Sequence, residues 1–249
     1  MSAKIGFWDV ELTPLEVYSW SLWPDVIPIT MIKERQHMLC FGWRWYGQKK
    51  VITKSVHHDG EEEMLKSLWN FLDEADAVVS WNGKGFDSKH ARREFLEFGM
   101  NPPSPYKEID LMLTAKSQFK MPSNKLDYWS QTLGIGKKKE TGGFQLWLDC
   151  MAGDDAAWRR MLTYQRQDVN LLVDLYERMK PWIAASPNIA LLSGVEGGCT
   201  NCGSTDFQWR GFAHTGVSTY RRFQCNVCGK WGRSDKREKS TPRTMRTAT

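Results

Sequence analysis

Apolar residues recur along this chain in two rhythms. Residues 4–10 hold Ile5, Phe7, Trp8 and Val10 in a short, almost continuous apolar run, which predicts a buried strand. Residues 38–46 and 49–56 predict two more strands joined through Gly47-Gln48, an antiparallel meander entered from the first strand after a long loop. From Glu61 to Glu74 the period changes, because Met64, Leu65, Leu68, Phe71 and Leu72 fall at helical spacing. Residues 75–80 then predict a strand and residues 88–98 a helix. Residues 106–109 predict a short strand ending at Asp110, and residues 124–133 and 154–180 predict helices, the last running to Pro181. A β-rich opening followed by strand and helix in alternation indicates an α/β domain with a mixed sheet. Trp20, Trp23, Trp43 and Trp45 are assigned to core or loop packing.

At 249 residues the chain can bury one substantial core and still carry a small module. The net charge of +5 is unevenly spread: residues 194–249 hold 10 Lys/Arg against 4 Asp/Glu, which leaves 24 against 25 for residues 1–193. Glycines 194, 197 and 198 coincide with that charge shift and predict a linker. From Ser234 on, Arg, Lys, Ser and Thr dominate, which predicts a disordered basic tail. The expected division is therefore a catalytic-type domain at 1–193, a small module at 194–233 and a tail at 234–249. The N-terminus has no uninterrupted apolar stretch, and no run approaches the roughly 18 apolar residues of a membrane span. The chain reads as soluble and unexported.

Four acids carry the chemistry. Asp9 and Glu11 are two apart at the end of the first strand, so both side chains point to one face. Tyr164 and Asp168 are four apart on a helix and share a face as well. Asp87 closes Trp81-Asn82-Gly83-Lys84-Gly85-Phe86-Asp87, where Gly83 and Gly85 permit a tight turn with close approach of a substrate backbone. Carboxylates gathered from distant segments repel one another unless cations accompany them. Such a set suits two hard divalent ions held against a phosphodiester. Asp110 competes with Asp87 for the third position and reads rather as the N-cap of a helix from Leu111 onward.

In order, Asp-Val-Glu-Leu-Thr-Pro, Asn-Gly-Lys-Gly-Phe-Asp and Tyr-Gln-Arg-Gln-Asp resemble the three exonuclease motifs of the DEDD superfamily. With Tyr four residues before the final Asp, the chain is similar to the tyrosine subgroup, in particular the proofreading domain of family-B DNA polymerases and its stand-alone phage and bacterial relatives. The resemblance spans residues 4–180 and includes Lys125-Leu126-Asp127 through Leu133-Gly134. It implies a ribonuclease H-like mixed sheet flanked by helices and, with no polymerase domain following, a free-standing nuclease. Asp9, Glu11 and Asp168 would ligate a pair of Mg²⁺ or Mn²⁺ ions about 3.5–4 Å apart, with Asp87 holding the second directly or through water. Tyr164, a phenol with an ordinary pKa near ~10, would orient a water rather than act as base. Asn82 and Phe86 would line the pocket of the terminal nucleotide. Leu12 stands where relatives often have Thr in contact with the terminal sugar.

Six cysteines include two CxxC pairs, Cys199/Cys202 and Cys225/Cys228, separated by 22 residues. Four thiolates at this spacing predict a closed, structural Zn²⁺ site, and the segment resembles a zinc ribbon. Cys40 and Cys150 read as buried packing residues, and His214 is not needed as a ligand. Trp209, Arg210, Phe212, Tyr220, Arg221, Arg222, Phe223, Lys230, Trp231 and Arg233 interleave aromatics with bases. They either contact nucleic acid or pack the module with the bases solvated. Lys137-Lys138-Lys139 is either a strand contact or a solvated loop, and His57, His58 and His90 are assigned to the surface.

The resemblance implies a 3′→5′ exonuclease releasing nucleoside 5′-monophosphates from single-stranded or frayed DNA 3′ ends. The setting it implies is replication or repair in a bacterial or phage-infected cytoplasm, with a replication or repair protein as partner and no membrane. Two alternatives stay open: an RNA-directed or structure-specific nuclease of the same chemistry, and a non-catalytic adaptor that binds nucleic acid through its ribbon.

Overall fold

A computed structural model describes residues 3–138, 142–184 and 186–239. The chain opens on β1 (Ile5–Leu12), passes through the short pair β2 (Glu16–Val17) and β3 (Ile32–Glu34), and returns as β4 (Met38–Trp45) and β5 (Ile52–Ser55). A single turn, α1 (Val56–Asp59), precedes α2 (Glu61–Glu74), β6 (Ala77–Ser80), α3 (Asp87–Glu97) and β7 (Lys107–Asp110). Helices α4 (Leu111–Gln118), α5 (Leu126–Thr132), α6 (Gln145–Met151), α7 (Asp155–Met179) and α8 (Ile189–Leu192) follow, then strands β8 (Phe207–His214), β9 (Thr219–Cys225) and β10 (Trp231–Arg237). Two compact units divide within α7. One runs from Lys4 to Tyr176, and the other takes Ala3 and the residues from Glu177 onward.

The larger unit is built on a five-stranded mixed sheet in the order β5-β4-β1-β6-β7. β4 and β5 are antiparallel to their neighbours, while β6 runs parallel to β1 and β7 to β6. The meander, the mixed sheet and the α2 boundaries expected from the apolar pattern are all present. Alternation along β1 sorts its side chains by chemistry. Trp8, Val10 and Leu12 turn to one face and pack with Leu65, Leu68 and Phe71 of α2 and Ala91 and Phe95 of α3. Phe7 turns to the other, where its ring meets Tyr176 of α7 edge-on at 5.2 Å. Asp9 and Glu11 share that second face, so the sheet's central strand carries acid on the α7 side only. Cys40 and Cys150 are buried beside Leu39, Leu146 and Trp158, as packing residues.

The tryptophans split in two. Trp43 is buried and Trp45 packs against the same core, but Trp20 and Trp23 are 94% and 90% exposed. They sit on an arm between β1 and β4 whose feet are tied together, Thr13 N to His37 O at 2.8 Å and His37 N to Thr13 Oγ1 at 2.8 Å. Two strands offer no layer beneath which an indole can be covered, so the packing expected of these two fails. Helix α6 was not foreseen either. It is two turns long and follows Gly142-Gly143, and only Leu146 and Cys150 bury, too few positions for a period to show.

The smaller unit holds a three-stranded antiparallel sheet, β10-β9-β8. Its limits differ from those expected. Residues 180–193 belong with it: Ile189 N donates to Thr200 O at 2.7 Å, Asn201 Nδ2 to Lys180 O at 2.9 Å and Lys230 Nζ to Ile183 O at 2.7 Å. The expected linker at 194–198 is instead the turn that ends α8, with Val195 N bonded to Ala190 O at 2.8 Å and Gly194 at φ 67°. Residues 234–237, expected in the tail, belong to β10; residues 240–249 lie outside the described residues. Among the described residues no helix is long and apolar enough to cross a membrane.

Gly6 tests the packing of β1. A Cβ there would meet the Phe71 ring at 2.5 Å. Gly6→Ala should lower unfolding stability by about 1–3 kcal/mol, read as a shifted urea midpoint with unchanged slope.

Candidate functional site

Asp9, Glu11 and Asp168 converge, with one carboxylate oxygen from each within 4.8 Å of the others. Their approach needs a small residue on the neighbouring strand. Asp9 lies opposite Gly42, and a Cβ at Gly42 would stand 3.0 Å from Gln165 Cγ and 3.4 Å from Val169 Cγ2 of α7. Glycine thus lets α7 settle onto the sheet. Gln165 then donates from Nε2 to Asp9 O at 2.5 Å and to Asp9 Oδ2 at 3.1 Å, which fixes one acid of β1 against α7.

Asp87 approaches from the sheet's other side. β1 pairs with β6 only as far as Phe7, leaving the edge of β1 open beyond it. Asp87, first residue of α3, fills that edge and accepts from Val10 N at 3.1 Å through Oδ1. The preceding loop holds no spare volume: a Cβ at Gly83 would fall 2.0 Å from Ser80 Oγ, and one at Gly85 2.9 Å from Asn82 Oδ1. Asn82 itself adopts φ 70°. Asp110 organises this loop and is not a member of the acid cluster. Its carboxylate accepts from Asn82 N, Lys84 N, Met112 N and Leu113 N at 3.0–3.3 Å, an N-cap that also pins the turn. Phe86 is 38% exposed and meets His90 edge-on at 4.6 Å. Leu12, by contrast, is buried on the α2/α3 face. The pleat that aims Asp9 and Glu11 at α7 aims Leu12 away, so its side chain is core and the site contact expected of it is absent.

Lys138 is the residue whose place the sequence did not reveal. Its ammonium pairs with Asp168 Oδ2, donates to the Tyr164 hydroxyl at 3.0 Å and lies over the Tyr164 ring at 5.0 Å. The backbone beneath it is anchored: Lys138 N donates to Asp127 Oδ1 at 2.8 Å, and Gln167 Nε2 donates to Lys137 O at 2.5 Å. Of the two readings of the lysine run, a solvated loop fails for Lys138. Lys139 lies outside the described residues.

The electrostatics are those of crowded acids. Burial and then Asp168 push Asp9 up to about 7. Burial, then Asp9 and Asp168, push Glu11 well above the usual carboxylate range, and burial followed by Asp9 does the same to Asp87. Asp168 is also raised by burial, against the pull of Lys138. Burial opposes the charge of Lys138, yet Asp168 and Tyr164 hold its pKa above the ordinary value. Burial and Asp168 raise Tyr164, which is therefore a neutral phenol at any physiological pH. Asp168 Oδ1 is buried with no partner among the described residues. Oxygen donors alone, one of them orphaned, fit a hard divalent cation.

The cysteines form a separate cluster in the smaller unit. Cys199, Cys202, Cys225 and Cys228 bring their sulfurs within 4.8 Å of one another, with Cys199–Cys228 at 3.7 Å and Cys202–Cys225 at 3.6 Å. Zinc–sulfur bonds of about 2.3 Å at tetrahedral angles require sulfurs roughly 3.8 Å apart, so the donor set fits that metal. Each CxxC turn is closed by a glycine at positive φ, Gly203 at 79° and Gly229 at 72°, whose N–H bonds back to the first cysteine's carbonyl.

With this geometry in hand, comparison with known proteins is specific on one point. The family model for the RNase H superfamily matches residues 30–180, more than half of the chain. The chain belongs to the RNase H superfamily. Among solved structures, this RNase H-superfamily chain is similar to the family B DNA polymerase from the hyperthermophilic archaeon Pyrobaculum calidifontis. The TM-score is 0.56 with 16% identity, over 78% of this chain and 26% of the polymerase. At that identity the likeness is one of fold, and the chain spans about a quarter of the polymerase's length. No curated protein matches the sequence.

A cluster that holds a proton below about pH 7 must release it before taking a cation. Mn²⁺ should therefore raise the melting temperature more at about pH 8 than at about pH 6. The Lys138→Met protein should show a larger Mn²⁺ shift than wild type at both, because no ammonium competes for Asp168. Differential scanning fluorimetry reads both comparisons; equal shifts in the two proteins would remove Lys138 from the competition.

Proposed function

We propose that this chain is a metal-dependent 3′→5′ exonuclease acting on DNA ends, with Asp9, Glu11, Asp168 and Asp87 as the acids of its active site. The observation that carries the reading is the convergence of Asp9, Glu11 and Asp168, one carboxylate oxygen of which is buried and without a partner among the described residues. Family membership supplies the nuclease fold on which that cluster stands. Two Mg²⁺ or Mn²⁺ ions would supply Lewis-acid polarisation of the phosphodiester and a water acidic enough to attack it.

The protein's own residues supply position and charge. Asp9, Glu11 and Asp168 hold the cations, and Gln165 keeps Asp9 turned to α7. Asp87 commits Oδ1 to Val10 N, which fixes the acid at the edge of β1 beside Asp9 and Glu11. Tyr164 keeps its proton and orients the attacking water by hydrogen bond; a raised phenol cannot serve as base. Lys138 supplies positive charge to Asp168 and would be available to a substrate phosphate if a cation took its place beside that carboxylate. Asn82 and Phe86 border the same loop and line the terminal nucleotide. The four cysteines hold one structural Zn²⁺, which makes the small unit a zinc ribbon.

The test is a 5′-labelled single-stranded DNA oligonucleotide incubated with and without Mg²⁺ or Mn²⁺. A metal-dependent ladder shortening from the 3′ end is expected. Asp9→Ala and Asp168→Ala should each lose about 10²-fold or more in rate, the several kcal/mol of transition-state stabilisation that metal coordination provides. Parallel RNA and circular substrates decide the remaining chemistry: faster RNA cleavage, or cutting of circles, would replace the DNA-exonuclease reading.

A further inference from the structure

The three-stranded sheet of the small unit has two unlike faces. On one, Phe207, Trp209 and Phe223 pack ring to ring, with centroids 4.2 Å and 5.6 Å from Phe223. Gly232 lies opposite Phe223 in the ladder, and a Cβ there would meet that ring at 2.4 Å, so the strand needs glycine to close over it. These aromatics are the unit's packing, and Arg221 covers the Trp209 ring at 4.8 Å.

Alternation sends the next set of side chains to the opposite face. There the Arg210 and Arg222 guanidiniums both lie over Trp231, at 5.5 Å and 5.0 Å, and Arg233 lies over Tyr220 at 3.8 Å. Arg222 and Arg233 are direct partners across β9 and β10, a like-charge placement that costs stability where nothing offsets it. None of the three forms an ion pair with a carboxylate among the described residues. The acids of the same sheet are engaged elsewhere, Asp206 by Asn226 at 2.7 Å and Asp235 by Ser234 at 3.5 Å. Arg210 instead donates to Gln224 Oε1 at 3.1 Å and Arg222 to Arg210 O at 3.0 Å, contacts that orient the guanidiniums without neutralising them.

We infer that this arginine–aromatic face is a binding surface for single-stranded nucleic acid, separate from the acid cluster. A guanidinium over a ring carries five N–H donors in a planar fork, more than its one hydrogen bond here engages, and that fork meets phosphate oxygens in pairs. Trp231, 45% exposed, and the guanidinium planes offer stacking surface to unpaired bases, which a duplex keeps covered. Charge and stacking therefore converge on an unpaired polynucleotide rather than an acidic protein or a lipid surface.

The test uses the full chain and fluorescence anisotropy of a labelled thymidine oligonucleotide, without added divalent cation so that no cleavage intervenes. Replacing Arg210, Arg222 and Arg233 together by Gln should weaken binding about tenfold or more at low salt. It should also flatten the slope of log K against log salt by roughly 2, three phosphate contacts at ~0.7 each for single strands. Arg221→Gln, on the packed face, should leave affinity and slope unchanged. Zinc content and melting temperature of each variant report whether the ribbon is intact, and Arg222→Lys, which keeps charge and loses the planar fork, should fall between the two. Wild-type affinity and slope in the triple variant would overturn the inference. So would tighter binding to duplex than to single strand, or loss of binding only to phosphatidylglycerol vesicles. A wild-type chain that binds through this face yet cuts no DNA or RNA with Mg²⁺ or Mn²⁺ added refutes the exonuclease and leaves this surface standing.

Discussion

Repulsion between buried carboxylates is the constraint around which the larger unit is arranged. Desolvation and neighbouring charge act in the same direction on Asp9, Glu11 and Asp87, so each resists ionisation far more than an exposed acid would. A fold that merely needed stability would place leucines there. This one uses a glycine at position 42 to let α7 approach, a backbone N–H to hold Asp87 and an amide to hold Asp9, all in order to keep acids together. What relieves the cluster without metal is Lys138, a single ammonium against several carboxylates. Beside that one monovalent charge Asp168 Oδ1 has no partner among the described residues, a deficit that divalent charge would meet.

Much of this was legible because the decisive residues lie on regular elements. Asp9 and Glu11 obey the two-residue period of a strand, and Tyr164 and Asp168 the turn of a helix, so facing follows from spacing alone. Asp110 was readable as a cap because a strand ending in Asp before an apolar run has few other uses. Lys138 was not, since its lysine neighbours look alike in sequence and only the anchoring of residues 137 and 138 by Gln167 and Asp127 brings one of them inward. Leu12 misled for the opposite reason: position relative to Glu11 suggested the site, while the pleat dictated the core. Trp20 and Trp23 show that an apolar side chain announces burial only when a second layer exists to cover it.

The boundary of the small unit was hidden by its own chemistry. Glycines and a charge shift at 194–198 look like a linker, yet Gly194 ends α8 and the preceding residues hydrogen-bond to the cysteine turns. A sheet of three short strands buries too little to stand alone, so it gathers both a sulfur cluster and a flanking helical segment. Phe207, Trp209 and Phe223 form a single packed face, and the arginines of the other face lie over Trp231 and Tyr220 and hydrogen-bond only to neutral groups of the same sheet.

The two donor sets also keep their metals apart. Four sulfurs at tetrahedral spacing are closed and soft, and satisfy a zinc ion with no position left over. The acid cluster is all oxygen and largely buried, and among the described residues Asp168 Oδ1 has no partner, conditions that would favour Mg²⁺ or Mn²⁺. Sulfur would bind the hard ions poorly, and an oxygen cluster with a competing lysine would hold zinc less firmly than four thiolates. On the proposed reading, the sulfur set would keep a permanent structural ion while the acid cluster would answer to divalent cation and proton.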